Sequence, residues 1–304
     1  MEHQNKDSEI GTVTRQIPQE AFDWYDEYAH GLIDRREFMG RLGGLVALGF
    51  TMTVLTSALL PNYASAEQIS FNDPSITASY VKYSSPKGHG ECEGYLVVPK
   101  NLEGKAPVVL VIHENRGLNP YIKDVARRLA SQGFIAFAPD GLYPLGGYPG
   151  NDDEGRAMQK EMDKGKLEED FIAAAQFLKT HELSTGKLGA VGFCYGGYIV
   201  NMLAASIPEK LDAGVPFYGT PAAESIRDNV KGPLLLQFGE LDKRVNSTWP
   251  DYEKSLMANK VDYTAHIYKG VNHGFHNDST GRYAPEEAEL AWTRTIEFFN
   301  KNLS

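Results

Sequence analysis

Gly192-Phe193-Cys194-Tyr195-Gly196-Gly197 is the segment best suited to covalent chemistry. An apolar strand-like run precedes it and a helical pattern follows. A nucleophile there sits on a strained turn that lifts its side chain above the sheet, and glycines at 192 and 196 let backbone pass close by. The helix N-terminus adds partial positive charge, which lowers a thiol pKa. A nucleophile needs a base, and the base needs an orienting group. Gly239-Glu240-Leu241-Asp242 and Asn272-His273-Gly274-Phe275 each follow another apolar run. Asp242 would fix the imidazole tautomer and His273 would carry the proton. Glu240 competes with Asp242, and His276 and His113 compete with His273.

A fourth strand end reads His113-Glu114-Asn115-Arg116-Gly117. The backbone N–H groups of Asn115 and Tyr195 are the expected donors to an oxyanion. Glu114 is out of place there, since a carboxylate repels a thiolate; the bland alternative is a surface-loop acid. Arg116 and Arg156 are candidates for holding an anionic substrate group, with surface ion pairs as the rival role. Tyr143, Tyr148, Tyr195, Tyr218 and Trp249 either line a pocket or pack. His273-x-x-His276 with Asp278 is a weak metal pattern, lacking a third histidine. No metal or cofactor is expected.

These segments need a scaffold that collects strand ends. Ile76–Tyr83 and Tyr95–Val98 read as a hairpin around Pro86-Lys87-Gly88. Val108–His113 is a continuous apolar run, as in a strand buried on both faces. Asn119-Pro120 caps a helix carrying Ile122, Val125, Ala126 and Leu129 on one face. Strands are expected at 134–138, 188–193, 213–218, 234–238 and 263–268. Helices are expected around Leu167–Leu178 and at 197–206, 250–259 and 286–300, the last with Ala288, Trp292, Ile296 and Phe299 inward. Leu145–Arg156 reads as a polar, glycine-rich loop over the site. This alternation predicts a single-domain α/β fold, mostly parallel, with helices on both faces. Ligands bind outside the carboxyl ends of such strands.

Residues 1–66 read differently. Leu42 to Leu60 carries no charge, Arg35-Arg36-Glu37-Phe38-Met39 precedes it, and Ala64-Ser65-Ala66 follows. Charged, apolar and small-residue parts in that order make an export signal, and the paired arginines resemble the twin-arginine type. Residues 34–66 would engage that export machinery. A periplasmic chain beginning at Glu67 is expected, with a membrane anchor at 42–60 as the alternative.

Composition agrees with this division. The chain has 304 residues, 42% of them apolar, and a net charge of −10. The first 66 residues hold 5 Lys and Arg against 9 Asp and Glu, leaving −6 on 67–304. This acidic balance lacks the footprint of a nucleic-acid binder. Cys92 and Cys194 are too few for a disulfide framework; if bonded to each other, they would silence the nucleophile.

GFCYGG, GELD, GVNHGF and IHENRG together resemble the dienelactone hydrolase (carboxymethylenebutenolidase) family over nearly all of 76–304. The resemblance implies an α/β-hydrolase fold and a Cys194–His273–Asp242 triad. It also implies Asn115 and Tyr195 as oxyanion donors, and Glu114 as a group that restrains the thiol until substrate binds. The family's name-giving lactonase anchors its substrate with an arginine shortly after the histidine. Here none occurs until Arg282, so dienelactone itself is not the expected substrate. The expected activity is carboxylic ester hydrolysis (EC 3.1.1 type), on a small ester or lactone through a thioester acyl-enzyme. Thioester or peptide hydrolysis and a catalytically silent binding protein are the alternatives. The oligomeric state stays open.

Overall fold

The computed structural model describes residues 17–46, 50–63 and 66–304. Three helices come first: α1 (Gln19–Ala29), α2 (Arg35–Val46) and α3 (Met52–Leu59). There follow β1 (Ile76–Ser85), β2 (Gly90–Pro99), β3 (Ala106–Ile112), α4 (Pro120–Ser131), β4 (Ile135–Pro139), α5 (Asp152–Glu161), α6 (Lys164–Lys179), β5 (Ser184–Phe193) and α7 (Tyr195–Ser206). The chain closes with β6 (Ala213–Phe217), β7 (Leu234–Gly239), the short α8 (Lys243–Asn246), α9 (Trp249–Ala258), β8 (Tyr263–Tyr268) and α10 (Pro285–Leu303).

The eight strands form one sheet in the order β1-β2-β4-β3-β5-β6-β7-β8. β1 pairs antiparallel with β2, and β2 with β4; every later pairing is parallel. Side chains alternate across a strand, and β3 shows the result. Val108, Leu110 and Ile112 enter one apolar cluster, with α6 and α7. Val109 and Val111 enter the other, with α4 and α10. Cys92 belongs to the first cluster and Cys194 to the second, so the sheet separates them and both are free.

The expected strands and helices are present. Asn119 accepts a hydrogen bond from the Ile122 N–H at 3.1 Å, with Pro120 in the first turn of α4. On α10 the buried stripe is Ala288, Ala291, Thr295, Phe299 and Leu303; Trp292 and Ile296 sit at its half-buried margin. The supposed loop 145–156 ends in α5 instead. Asn151 caps that helix by accepting from the Asp153 and Glu154 N–H groups at 2.8 and 3.2 Å.

The described part of the leader packs on itself and touches the hydrolase body, as through Arg35–Asp153 and Tyr63–Asp152. Ala21, Phe22, Tyr25, Tyr28 and Ala29 make one face of α1, packed with Phe38, Leu42, Leu45, Leu55 and Leu59. The charge-free segment is divided between α2 and α3, with residues 47–49 outside the described residues. Ala64 and Ser65 of the small-residue box also lie outside them. Among the described residues, no helix is long and apolar enough to cross a membrane.

Candidate active site

The turn between β5 and α7 holds Cys194 at φ 56°, ψ −111°. That is left-handed backbone, which strains a non-glycine residue. A Cβ on Gly192 would collide with the Gly196 carbonyl, and one on Gly196 with the Ile112 carbonyl. Both glycines are therefore steric requirements of the elbow. The Cys194 N–H donates to the Phe217 carbonyl at 3.1 Å, which ties the turn to β6.

Asp242 follows β7 and His273 follows β8, each only 4% exposed. His273 Nδ1 lies 2.6 Å from Asp242 Oδ2. Asp242 Oδ1 meanwhile accepts from the Val245 N–H at 3.1 Å and so caps α8. This fixes the carboxylate and assigns the Nδ1 proton to it, leaving Nε2 for other partners. Burial alone would raise the Cys194 pKa, but His30 and His273 outweigh it and hold the thiol well below its ordinary range. Burial would likewise lower His273, but Asp26, Asp242 and the Cys194 sulfur lift it to about 10. The surroundings thus push Cys194 toward the thiolate and His273 toward the imidazolium.

Glu114 is buried, not a surface-loop acid. Burial pushes its pKa up, against the pull of Arg116, and the nearby Cys194 sulfur raises it further. It accepts from Asn277 Nδ2 at 3.0 Å. The upward push weakens the repulsion that the sequence suggested.

A cavity of about 370 Å³ opens beside Cys194, with Asn115 and Tyr195 in its wall. Arg156 and Tyr218 line it as well. Four of the other candidates do not. Arg116 is buried and pairs with Asp152 at 2.8 Å. Tyr143 reaches Glu91 at 3.3 Å on the surface. Trp249 packs against Phe238, Tyr252 and Tyr263. Tyr148 also turns away, to Asp152 at 2.8 Å. His276 stacks in the core on Phe193 and accepts or donates at Nδ1 with Tyr121 at 2.7 Å. His113 Nε2 accepts from the Gly141 N–H at 3.1 Å. Neither rival histidine is placed as a base, and the His273–His276–Asp278 metal pattern is not assembled.

Sequence reasoning missed Arg244, Asp26 and His30. Arg244 stands two residues past Asp242 and lines the cavity. Asp26 and His30 come from α1 and its C-terminal turn. Their spacing of four on an amphipathic helix was a readable signal; that this helix lies on the site was not. His30, Cys194 and His273 present donor atoms within 4.8 Å of one another, a grouping able in type to hold a metal. Arg244 lies 2.7 Å from His30 Nε2, and its fixed positive charge opposes a cation there.

The sequence pattern of the dienelactone hydrolase family matches residues 92–303. The chain belongs to the dienelactone hydrolase family. It is accordingly a carboxylic ester hydrolase on a single-domain α/β-hydrolase fold. One relative, from Aquifex aeolicus and described as "Putative carboxymethylenebutenolidase", is 37% identical over 220 residues, 69% of this chain and 93% of its own. An Escherichia coli K12 "Putative hydrolase fragment YghX" is 60% identical over 113 residues, 37% of this chain and 97% of its own. A Klebsiella pneumoniae "Putative Dienelactone Hydrolase" crystal structure superposes with TM-score 0.65 at 27% identity, covering 74% of this chain and 99% of that one. Ahead of the dienelactone hydrolase match, residues 12–46 match a second family, described as YqhI-like.

Proposed function

We propose that this protein hydrolyses an ester or lactone through a thioester on Cys194. The observation that carries this reading is one strand edge holding the Cys194 elbow, which opens on the cavity, and the His273–Asp242 pair. The Cys194 sulfur attacks the carbonyl carbon, and the N–H groups of Asn115 and Tyr195 hold the oxyanion. His273 gives its proton to the leaving oxygen as the thioester forms. It then takes a proton from water, whose oxygen attacks the thioester carbonyl. The carbon–sulfur bond breaks, the acid leaves and the sulfur is restored.

The cavity also supports a substrate class. Arg156, Lys160, Lys164 and Arg244 line it, with no carboxylate among the lining residues. Arg156 pairs with Asp153, Arg244 with Asp26 and Lys164 with Glu168 behind the wall, yet the cations face the cavity and suit a carboxylate-bearing substrate. Incubation with matched activated esters, one carrying a carboxylate and one neutral, followed by mass spectrometry, tests the reading. The expected result is an acyl group on the Cys194 peptide, formed faster from the anionic ester. Turnover of both with no adduct on Cys194, even in rapidly quenched samples, would count against the thioester.

Export is proposed as well, on the strength of Arg35-Arg36 and the charge-free segment. Contacts from the leader extend to its last described turn, where the Tyr63 hydroxyl donates to Asp152 at 2.8 Å. The periplasmic chain is therefore expected to retain α1, an outcome that intact mass measures. A chain beginning at Glu67 would show cleavage near Ala66 instead.

A further inference from the structure

Two acid–imidazole pairs, not one, face the sulfur. The second comes from the segment ahead of the hydrolase domain. His30 Nε2 lies 3.2 Å from Cys194 Sγ, and its Nδ1 lies 2.8 Å from the Asp26 carbonyl and 3.3 Å from the Asp26 carboxylate. The His30 and His273 rings meet edge to face, with centroids 5.1 Å apart. Asp26 faces both: Oδ1 is 3.9 Å from His273 Nε2.

We propose that His30 is a positioning residue for Cys194, supplied by the leader, which holds the sulfur between two imidazoles and favours its ionised form. The inference rests on Cys194 being the nucleophile.

The placement is built by many contacts rather than one. Tyr28 offers its carbonyl to Arg156 at 2.9 Å, and Ala29 offers its carbonyl to the Asn115 side chain. Arg35 pairs with Asp153 at 2.6 Å, and Gln19 bonds Asn272. The Arg282 guanidinium lies 4.7 Å over the Tyr25 ring and 3.6 Å from Asp26. These contacts fix the C-terminal turn of α1, and with it the His30 ring.

The charges around the sulfur favour the same outcome. His273 faces it from the loop after β8, His30 from α1 and Arg244 from α8. Asp26 and Asp242 stand behind the two imidazoles, Glu114 lies near the sulfur, and the Tyr218 ring packs 4.8 Å from His273. The thiol proton passes to His273 Nε2. The resulting thiolate is flanked by His30 and by the fixed charge of Arg244, whose Nη2 donates to His30 Nε2 at 2.7 Å and which Asp26 holds at 3.3 Å. Opposite charge near an ionising group stabilises its ionised form.

The test is the pH dependence of Cys194 alkylation by iodoacetamide in the full chain, read on the Cys194 peptide. His30→Gln keeps much of the volume and a hydrogen-bonding side chain but no titratable charge. In His30→Gln and in His30→Ala the inflection should rise by about one pH unit or more. An inflection that stays or falls in His30→Gln overturns the proposal. His273→Ala supplies a second reading that leaves His30 in place. There the thiol should still ionise below its ordinary value of about 8.5; an inflection at that value also overturns it. Failure of the nucleophile reading looks different: alkylation of Cys194 would leave turnover intact.

Discussion

Cys194→Ala should abolish nearly all turnover of a small activated ester while the chain stays folded. Losing a triad nucleophile costs up to ~10⁶ in kcat, and no neighbouring group replaces it. Cys92 lies in the apolar cluster on the other face of the sheet, where burial and Asp170 push its thiol up to about 12. The fold should survive because Cys194, though part of one apolar cluster, lies at its edge on the cavity, and alanine adds no bulk to the turn. Steady-state kinetics with a parallel thermal melt measures both halves. Wild-type turnover in this variant would remove Cys194 from the chemistry.

Asp242→Asn should cost about 10⁴ in kcat, the scale of a triad whose imidazole is left in the wrong tautomer. Asparagine is nearly isosteric and caps helices as well as aspartate does, so the bond that Asp242 Oδ1 accepts from Val245 is kept. What changes is the group 2.6 Å from His273 Nδ1. An amide no longer stabilises the imidazolium and can present N–H where a carboxylate oxygen stood. Asp26 cannot compensate, because it approaches His273 from the Nε2 side, 3.9 Å away. It would favour a proton on the nitrogen that must accept the thiol's. Single-turnover rates at saturating substrate check this prediction. A loss below tenfold would mean that Asp242 serves as a helix cap alone.

The sheet was legible because its strands are buried on both faces and therefore spell continuous apolar runs, as Val108–Ile112 does. The elbow was legible because its glycines are steric requirements that no other residue meets. Order along the chain and position after strands brought Asp242 and His273 into view. Helix α5 was not legible, because Asp152–Glu161 is polar nearly throughout and buries only Gly155 and Arg156. Its cap at Asn151 was the one local signal. Trp249 and Tyr143 illustrate a different failure. Aromatic type does not say which way a ring points, and both rings pack elsewhere. Arg244 and His30 escaped for a third reason. The His30–Cys194 contact spans 164 residues, and no local pattern announces a partner so distant.

That separation also sets a timetable. During synthesis α1 emerges early, yet Asn272, which pairs with Gln19, lies 253 residues further on. At about 5–20 residues per second, a ribosome needs roughly 13–50 s to make that stretch. For that interval α1 has only α2 and α3 to rest on, and for the first part of it Arg35 lacks its partner Asp153. The finished fold does not hide the paired arginines, since Arg35 stays 67% exposed beside Asp153; a receptor that reads them would meet them on the nascent and the finished chain alike.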